Sequence, residues 1–204
     1  MSPNLSEDEI DDLLYFARVG DVQEFNSLTQ ELCKRKGIAI LGLLQAARDE
    51  QSGNGVLHMA AANGHAGLLR DLCKALSNPS PQNPSMLAIL NAQNKAGNTA
   101  LHWAALNGHL DSVKVLLEEG SDPTITNQRG HDAVYEAELN DKREVVEWVL
   151  KEGGEGLEEG VGGDVGEGAA DEDMEGGGGG DEVMERKLRE ELGHMNIKDG
   201  NQTT

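Results

Sequence analysis

The sequence predicts an all-α fold, a solenoid of about four helix-pair repeats followed by a disordered acidic C-terminal tail. A segment that occurs twice carries the prediction: GNGVLHMAAANGH at 53–65 returns in register as GNTALHWAALNGH at 97–109. Self-similarity at a fixed spacing is typical of repeat architectures, in which each repeat buries its apolar face only against its neighbours. The tail is indicated by an abrupt change of composition after Lys151.

The repeats are brought into register by a small residue at one turn. This residue is Gly20, Gly64, Gly108 and Asp141, with separations of 44, 44 and 33 residues. The two longer separations predict insertions. One is SNPSPQNPS at 77–85, where three prolines predict an extended loop rather than a helix, and the other lies around Lys34–Leu44. The predicted repeats of the 1–151 domain are roughly 10–44, 50–90, 94–126 and 127–151.

Each copy carries the signals of two short helices. Thr99 directly precedes an apolar segment, where its hydroxyl can cap free backbone N–H groups, and Asn107-Gly108 ends that first helix. The segment from Leu110 to Leu117 places apolar residues at 110, 113, 116 and 117, which is one face of a second helix. Gly120 ends the second helix.

These motifs resemble the ankyrin repeat, whose period is 33 residues. Residues 97–102 match its G-x-T-P-L-H box with Ala100 in place of Pro, and residues 104–109 match its A-A-x-x-G-H segment. The second copy has Gly55 in place of the Thr. The first copy, about 11–32, lacks the Leu-His box, which predicts a degenerate N-terminal cap. The fourth copy also departs, as a terminal capping repeat would, through Asp132 for Thr, Tyr135 for His and Asp141 for Gly.

The charge of the chain is strongly acidic, with a formal net charge of −20. Residues 1–151 carry a net charge of −8, and 13 acidic residues without a basic one lie between Glu152 and Glu185. Nucleic acid and anionic membranes have the same sign of charge, so neither is expected as a direct partner. The composition therefore favours a basic partner.

The region after the repeats is rich in glycine and carboxylates, so residues 152–181 are predicted to be disordered. Residues 182–204 include a possible short helix. Two hypotheses stay open for the acidic tail: it serves solubility, or it shields a basic client. Cys33 and Cys73 lack CxxC spacing, which favours a reducing compartment. With no apolar run of about 18 residues and an acidic start, a soluble intracellular protein is expected.

Two histidine pairs, His58/His65 and His102/His109, raise the question of a metal or catalytic site. No cysteine or carboxylate joins either pair at ligand spacing, and no phosphate loop or nucleophile elbow is present. The ankyrin resemblance implies instead that the first histidine of each pair makes structural hydrogen bonds and the second opens the next helix. The interpretation is a non-enzymatic protein with no metal, no catalytic residue and no cofactor.

The same resemblance implies a partner-binding concave side made of loop tips and the first helix of each repeat. Trp103 is interpreted as a partner-binding residue in preference to packing alone, because a large indole stands in a row of small residues. Two interpretations of Glu136 and Glu138 stay equally open: they form a solvated capping face, or they form an acidic spot that binds a partner's Lys or Arg. The candidate binding residues are Met59, Asn63, Asn98, Trp103, Leu106, Asn107, Tyr135, Glu136, Leu139 and Asn140.

A closer resemblance rests on four stretches. They are LHMAAANGH at 57–65, residues 95–117, GHDAVYEAELNDKREVVEWVL at 130–150, and LREELGHMNIKD at 188–199. These resemble the fungal ankyrin-repeat chaperones of a small-subunit ribosomal protein, protein three. The resemblance implies a monomeric, cytoplasmic and nuclear chaperone that binds the client's basic N-terminal segment and keeps it soluble for ribosome assembly. The alternatives are an ankyrin scaffold or inhibitor of a folded signalling protein, and a histone-type acidic chaperone.

Overall fold

The computed structural model describes residues 5–76 and 84–151, and within these ranges the prediction of an all-α fold is confirmed. The only other regular pairing there is an isolated antiparallel bridge between Arg48 and Gly55. The predictions for 77–83, 152–181 and 182–204 lie outside the described residues. The helices are α1 Glu7–Val19, α2 Val22–Lys36, α3 Ile40–Ala46, α4 Val56–Ala62, α5 Ala66–Leu76, α6 Pro84–Leu90, α7 Ala100–Asn107, α8 Leu110–Glu118, α9 Ala133–Leu139 and α10 Arg143–Lys151.

Eight of these helices form two stacked rows. In the inner row α1 packs on α4, α4 on α7, and α7 on α9. Each inner helix is backed by the helix that follows its turn: α2, α5, α8 and α10 respectively. Within this outer row α5 packs on α8 and α8 on α10. Each helix pair therefore buries its apolar side only against its neighbours, which is the arrangement of a solenoid.

Three of the four inner helices, α1, α7 and α9, begin at polar residues that satisfy free backbone N–H groups, whereas α4 begins at Gly55 without a side-chain cap. Ser6 and Glu9 form a reciprocal capping box at α1, and Asp132 Oδ1 accepts a hydrogen bond from Tyr135 N at 2.8 Å at α9. The predicted Thr99 cap of α7 is confirmed, since its hydroxyl accepts from His102 N. Each such cap stabilises its helix by about 1 kcal/mol.

The insertions between the repeats contain helices. The helix α3 lies in the first insertion, α6 lies in the second, and the two contact each other. The predicted loop over 77–85 is therefore wrong at its end, because Pro84 and Ser85 are the first residues of α6. A proline is tolerated at the first helical position because an N–H there has no partner within the helix.

The aligned turn residues show why glycine is required inside the array but not at its end. Gly64 has a φ of 76°, and a Cβ there would lie 2.8 Å from the His109 ring of the next repeat. Gly20 meets His65 in the same way at 2.5 Å. Asp141 adopts a φ of 55° at the corresponding place in the fourth repeat, beyond which the described part of the chain has no further repeat. Its side chain therefore has room.

Candidate protein-binding surface

The four inner helices share one side that faces away from the outer row. The helix α7, for example, has α4 and α9 on its two flanks and α8 behind it. We call the remaining side of α1, α4, α7 and α9 the inner face. The 44, 44 and 33 residue spacing places Tyr15, Met59, Trp103 and Glu136 at one position of the repeat, the centre row. It places Val19, Asn63, Asn107 and Asn140 one helical turn later, the rim row.

The middle of the centre row is buried. Trp103 is only 3% exposed and Met59 only 8%, and the indole Nε1 has no hydrogen-bond partner within the described residues. Trp103 therefore lacks the exposure that a surface contact needs, and packing alone accounts for its place in the unbound chain. Asn98 is also buried. In the unbound chain Met59, Asn98 and Trp103 are buried inside the stack, and their contact with a partner stays a prediction.

Both ends of the inner row of helices expose apolar side chains. On α9, Tyr135 and Leu139 are 45% and 50% exposed, and they are predicted site residues. Each stands one position before the centre or the rim row, on the flank of α9 where a further repeat would pack. On α1, Tyr15 and Val19 are 49% and 41% exposed, and the sequence interpretation missed them. The signal was available, because aligning Gly20 with Gly64 places Tyr15 and Val19 in the two rows. The remaining predicted residues are exposed (Asn63, Asn140) or half-buried (Leu106, Asn107).

Carboxylates accompany both apolar pairs. Asp8, Asp11 and Asp12 are exposed on the turns of α1 that precede Tyr15, and Glu138 is exposed on α9. Side chains three and four residues apart are neighbours on a helix, so Asp8, Asp12 and Tyr15 form a continuous strip. Each end of the array therefore offers an apolar contact next to negative charge.

The two acidic residues of α9 differ in their surroundings. Glu136 is only 4% exposed, and its Oε1 lies 2.8 Å from Asn127 Nδ2 and 3.1 Å from His131 Nδ1. Asn127 Nδ2 also donates to Asn98 Oδ1 at 2.9 Å, which ties the fourth repeat to the third. Glu136 is thus neither a solvated cap nor an exposed acidic spot. Of the two residues, only Glu138 offers its charge to a partner.

The first histidine of each pair is a structural residue, as predicted. His58 Nδ1 accepts from Gly55 N at 3.1 Å and its Nε2 donates to Asn98 O at 3.1 Å. His102 repeats this arrangement with Thr99 N at 3.2 Å and His131 O at 3.1 Å. A nitrogen that accepts an N–H carries no proton, so both rings are neutral. Burial lowers the pKa of His58 to about 4 and also lowers the pKa of His102.

The second histidine of each pair links neighbouring repeats at the helix-ending turn. His65 Nε2 donates to Arg18 O at 2.8 Å, and His109 Nε2 donates to Ala62 O at 3.0 Å. The helix α8 begins directly after His109, and α5 begins directly after His65. Across 5–76 and 84–151, no three His, Cys, Asp or Glu side chains come together as metal ligands. The same ranges contain no helix of the length and apolarity needed to span a membrane.

Fold, caps and histidine links together define a class of protein. The ankyrin-repeat family model, with three repeat copies, matches residues 13–127 and again residues 57–158. The chain therefore belongs to the ankyrin-repeat family.

Within this family the chain is similar to particular fungal proteins. It is 38% identical over 151 residues to the ankyrin repeat-containing protein YAR1 of Saccharomyces cerevisiae, covering 74% of this chain and 72% of that protein. It is 35% identical over 142 residues to an ankyrin repeat-containing protein of Schizosaccharomyces pombe, covering 70% of this chain and 84% of that protein. A similar solved structure is the yeast ribosomal protein Rps3 in complex with its chaperone Yar1. The match has a TM-score of 0.65 and 39% identity over 72% of this chain and 95% of the solved one.

Proposed function

We propose that this chain is a dedicated chaperone of the ribosomal protein that corresponds to yeast Rps3. The observation that carries the proposal is the 39% identity, over 95% of the solved chain, to the yeast complex of Rps3 with its chaperone Yar1. The exposed apolar pairs and carboxylates at the two ends of the inner row supply a surface of suitable chemistry. The chain acts by binding its client rather than by catalysis.

The client's basic N-terminal segment binds along the inner face. Tyr15 and Val19 at one end, and Tyr135 and Leu139 at the other, contact its apolar side chains. Exposed carboxylates beside these pairs attract its Lys and Arg residues. Opposite charge mainly raises the association rate and disfavours acidic competitors. Because dissolved salt screens these charges, binding weakens as the salt concentration rises.

The acidic tail gives this chaperone a second, looser contact. The 13 acidic residues between Glu152 and Glu185 attract exposed basic surface of the client through their negative charge. Ribosomal RNA is a denser polyanion, so it competes for the same positive charge and releases the client during assembly. The chaperone itself acts as a monomer in cytoplasm and nucleus and does not bind nucleic acid directly.

The test is the solubility of the purified Rps3 homologue in low salt, with and without an equimolar amount of the full chain. We expect turbidity to be suppressed by the full chain but not by its Tyr15→Ala/Val19→Ala/Tyr135→Ala/Leu139→Ala variant, because that variant lacks the apolar contacts. Circular dichroism of the variant confirms that its fold is intact. Equal turbidity with and without the full chain would contradict the proposal.

Competition with histones separates this function from that of a histone-type chaperone. The Rps3 homologue should displace a core histone from the chain, whereas the reverse displacement would indicate a histone client. A chain that ends at residue 151 should keep most of its affinity for the Rps3 homologue and lose salt-sensitive histone binding, because the repeats carry the specific contacts.

A further inference from the structure

Three asparagines occupy equivalent places on the inner face. Asn63, Asn107 and Asn140 stand in the rim row and follow α4, α7 and α9 at or just past their last turn. Asn63 Nδ2 donates to Met59 O at 2.9 Å, and Asn140 Nδ2 donates to Glu136 O at 2.8 Å. Asn107 Nδ2 donates across the repeat boundary to Ala62 O at 3.0 Å. We call the three side chains the carboxamide row.

These hydrogen bonds fix the orientation of each amide group. A backbone carbonyl oxygen can only accept, so the amide atom that faces it must be the nitrogen, and Oδ1 lies on the opposite side. Within the part of the chain that the structure describes, no donor reaches the Oδ1 atoms of the row. Asn63 and Asn140 are exposed, and Asn107 is half-buried. The row therefore leaves three fixed acceptors without a hydrogen bond from the array.

We propose that the carboxamide row binds N–H donors of Lys and Arg side chains in the client segment. This inference rests on the proposed function and names the chemistry that the inner face recognises between its two apolar ends. Lys and Arg carry donors and no acceptor, so three amide oxygens select them over acidic side chains. The acceptors are held in place by their own Nδ2 bonds and need little ordering when the client binds.

The spacing of the row sets the spacing of the donors. Packed helices have axes about 8–10 Å apart, but Asn107 Nδ2 reaches back to Ala62 O at 3.0 Å, so only the outer pair, Asn63 and Asn140, keeps the spacing of the stack, about 16–20 Å over two repeats. Two residues seven apart in an α-helix lie on the same side and are about 10.5 Å apart. Residues fourteen apart are about 21 Å apart, so Asn63 and Asn140 match a helical client segment with Lys or Arg at i and i+14, and Asn107 takes a donor between them. Because the acceptors are neutral, this part of the binding is less sensitive to salt than the contacts of the carboxylates.

The test is a double-mutant cycle on the complex of the full chain with the Rps3 homologue. Each of Asn63→Ala, Asn107→Ala and Asn140→Ala is expected to weaken binding about two- to tenfold, the range of one hydrogen bond. The loss should shrink to less than twofold when the facing Lys or Arg of the client is already replaced by Met. Asn91→Ala is the matched control, because Asn91 Oδ1 accepts from Asp122 N at 2.8 Å away from the inner helices. That variant should keep its affinity.

A purely structural row would give a different result. The three variants would then lower the melting temperature, yet bind within twofold of the wild-type chain and show no coupling to any client residue, which would overturn the inference. If an alanine variant does not fold, Asn→Asp replaces it: the carboxylate cannot donate to the carbonyl that holds Nδ2, but it puts a negative charge at the same place. Its negative charge should tighten binding and make it more salt-dependent, and Asn91→Asp should not. A wild-type chain that does not bind the Rps3 homologue would instead refute the proposed function.

Discussion

The middle and the ends of the inner row use the same repeat position in different ways. His58 and His102 stand where Tyr135 stands in the fourth repeat, 77 and 33 residues earlier. Each histidine is buried because the next repeat supplies a carbonyl for its Nε2. The described part of the chain has no repeat after α10, and Tyr135 is 45% exposed. Where a neighbouring repeat packs on this position, its side chain is buried and structural. Where no described repeat follows, the side chain is exposed and can contact a partner.

The largest expected effect is on the buried middle of the array. Trp103→Ala removes an indole that is 3% exposed and should lower the free energy of unfolding by about 3–5 kcal/mol. Urea denaturation followed by circular dichroism measures this change. The end variant Tyr135→Ala is the control and should cost less than about 1 kcal/mol. Similar losses of unfolding free energy in both variants would contradict the difference between the buried middle and the exposed ends of the array.

The pH dependence of stability tests the buried histidine of the second repeat. Burial lowers the pKa of His58 to about 4 from 6.5, so the unfolded chain takes up this proton first as the pH falls. The stability contributed by the neutral ring is present above pH 6.5 and is lost toward pH 4. The loss reaches about 3 kcal/mol at 1.36 kcal/mol per pKa unit.

Denaturation curves recorded between pH 7 and pH 4 measure this loss. The variant His58→Gln retains a donor and an acceptor but no titrating group, so its stability should fall less steeply over the same range. If the stability of both proteins fell equally steeply between pH 7 and pH 4, groups other than His58 would cause the loss.

Substitutions at the turn residues Gly64 and Asp141 should change the stability of the chain by smaller amounts and in opposite directions. Gly64→Ala forces a Cβ to within 2.8 Å of the His109 ring in left-handed backbone, and should destabilise the chain by about 1–2 kcal/mol. Asp141→Gly relieves left-handed backbone at the open end and should stabilise it by a few tenths to about 1 kcal/mol. Thermal melts of both variants suffice. A stabilised Gly64→Ala protein would contradict the proposed crowding between repeats.

The fold was predictable from the sequence because its signals are local. The Thr99 cap, the turn glycines and the Leu-His box each carry their structure within a few residues, and the repeat spacing joins them. The start of α6 at Pro84 was missed, because a proline that disfavours the middle of a helix also suits its first position.

The binding surface was less predictable because exposure depends on neighbours. Trp103 is prominent in the sequence of its own repeat, yet it is only 3% exposed in the folded array. Glu136 is buried because Asn127 and His131 are brought to its carboxylate by the loop between repeats. Tyr15 was missed because the first repeat lacks the box by which the others are recognised. For Trp103 and Glu136 the missing information lies in tertiary contacts, whereas for Tyr15 the turn alignment already carried it.

The most direct test of this account is the affinity of the Rps3 homologue for three proteins: the wild-type chain, Tyr15→Ala/Tyr135→Ala and Trp103→Phe. The double variant should bind at least about tenfold more weakly with a nearly unchanged melting temperature, because aromatic side chains are common among the residues that dominate interfaces. Trp103→Phe keeps the buried ring and should bind within twofold of the wild-type chain. A Trp103→Phe protein that loses affinity, beside a double variant that keeps it, would place recognition in the middle of the array and contradict the account.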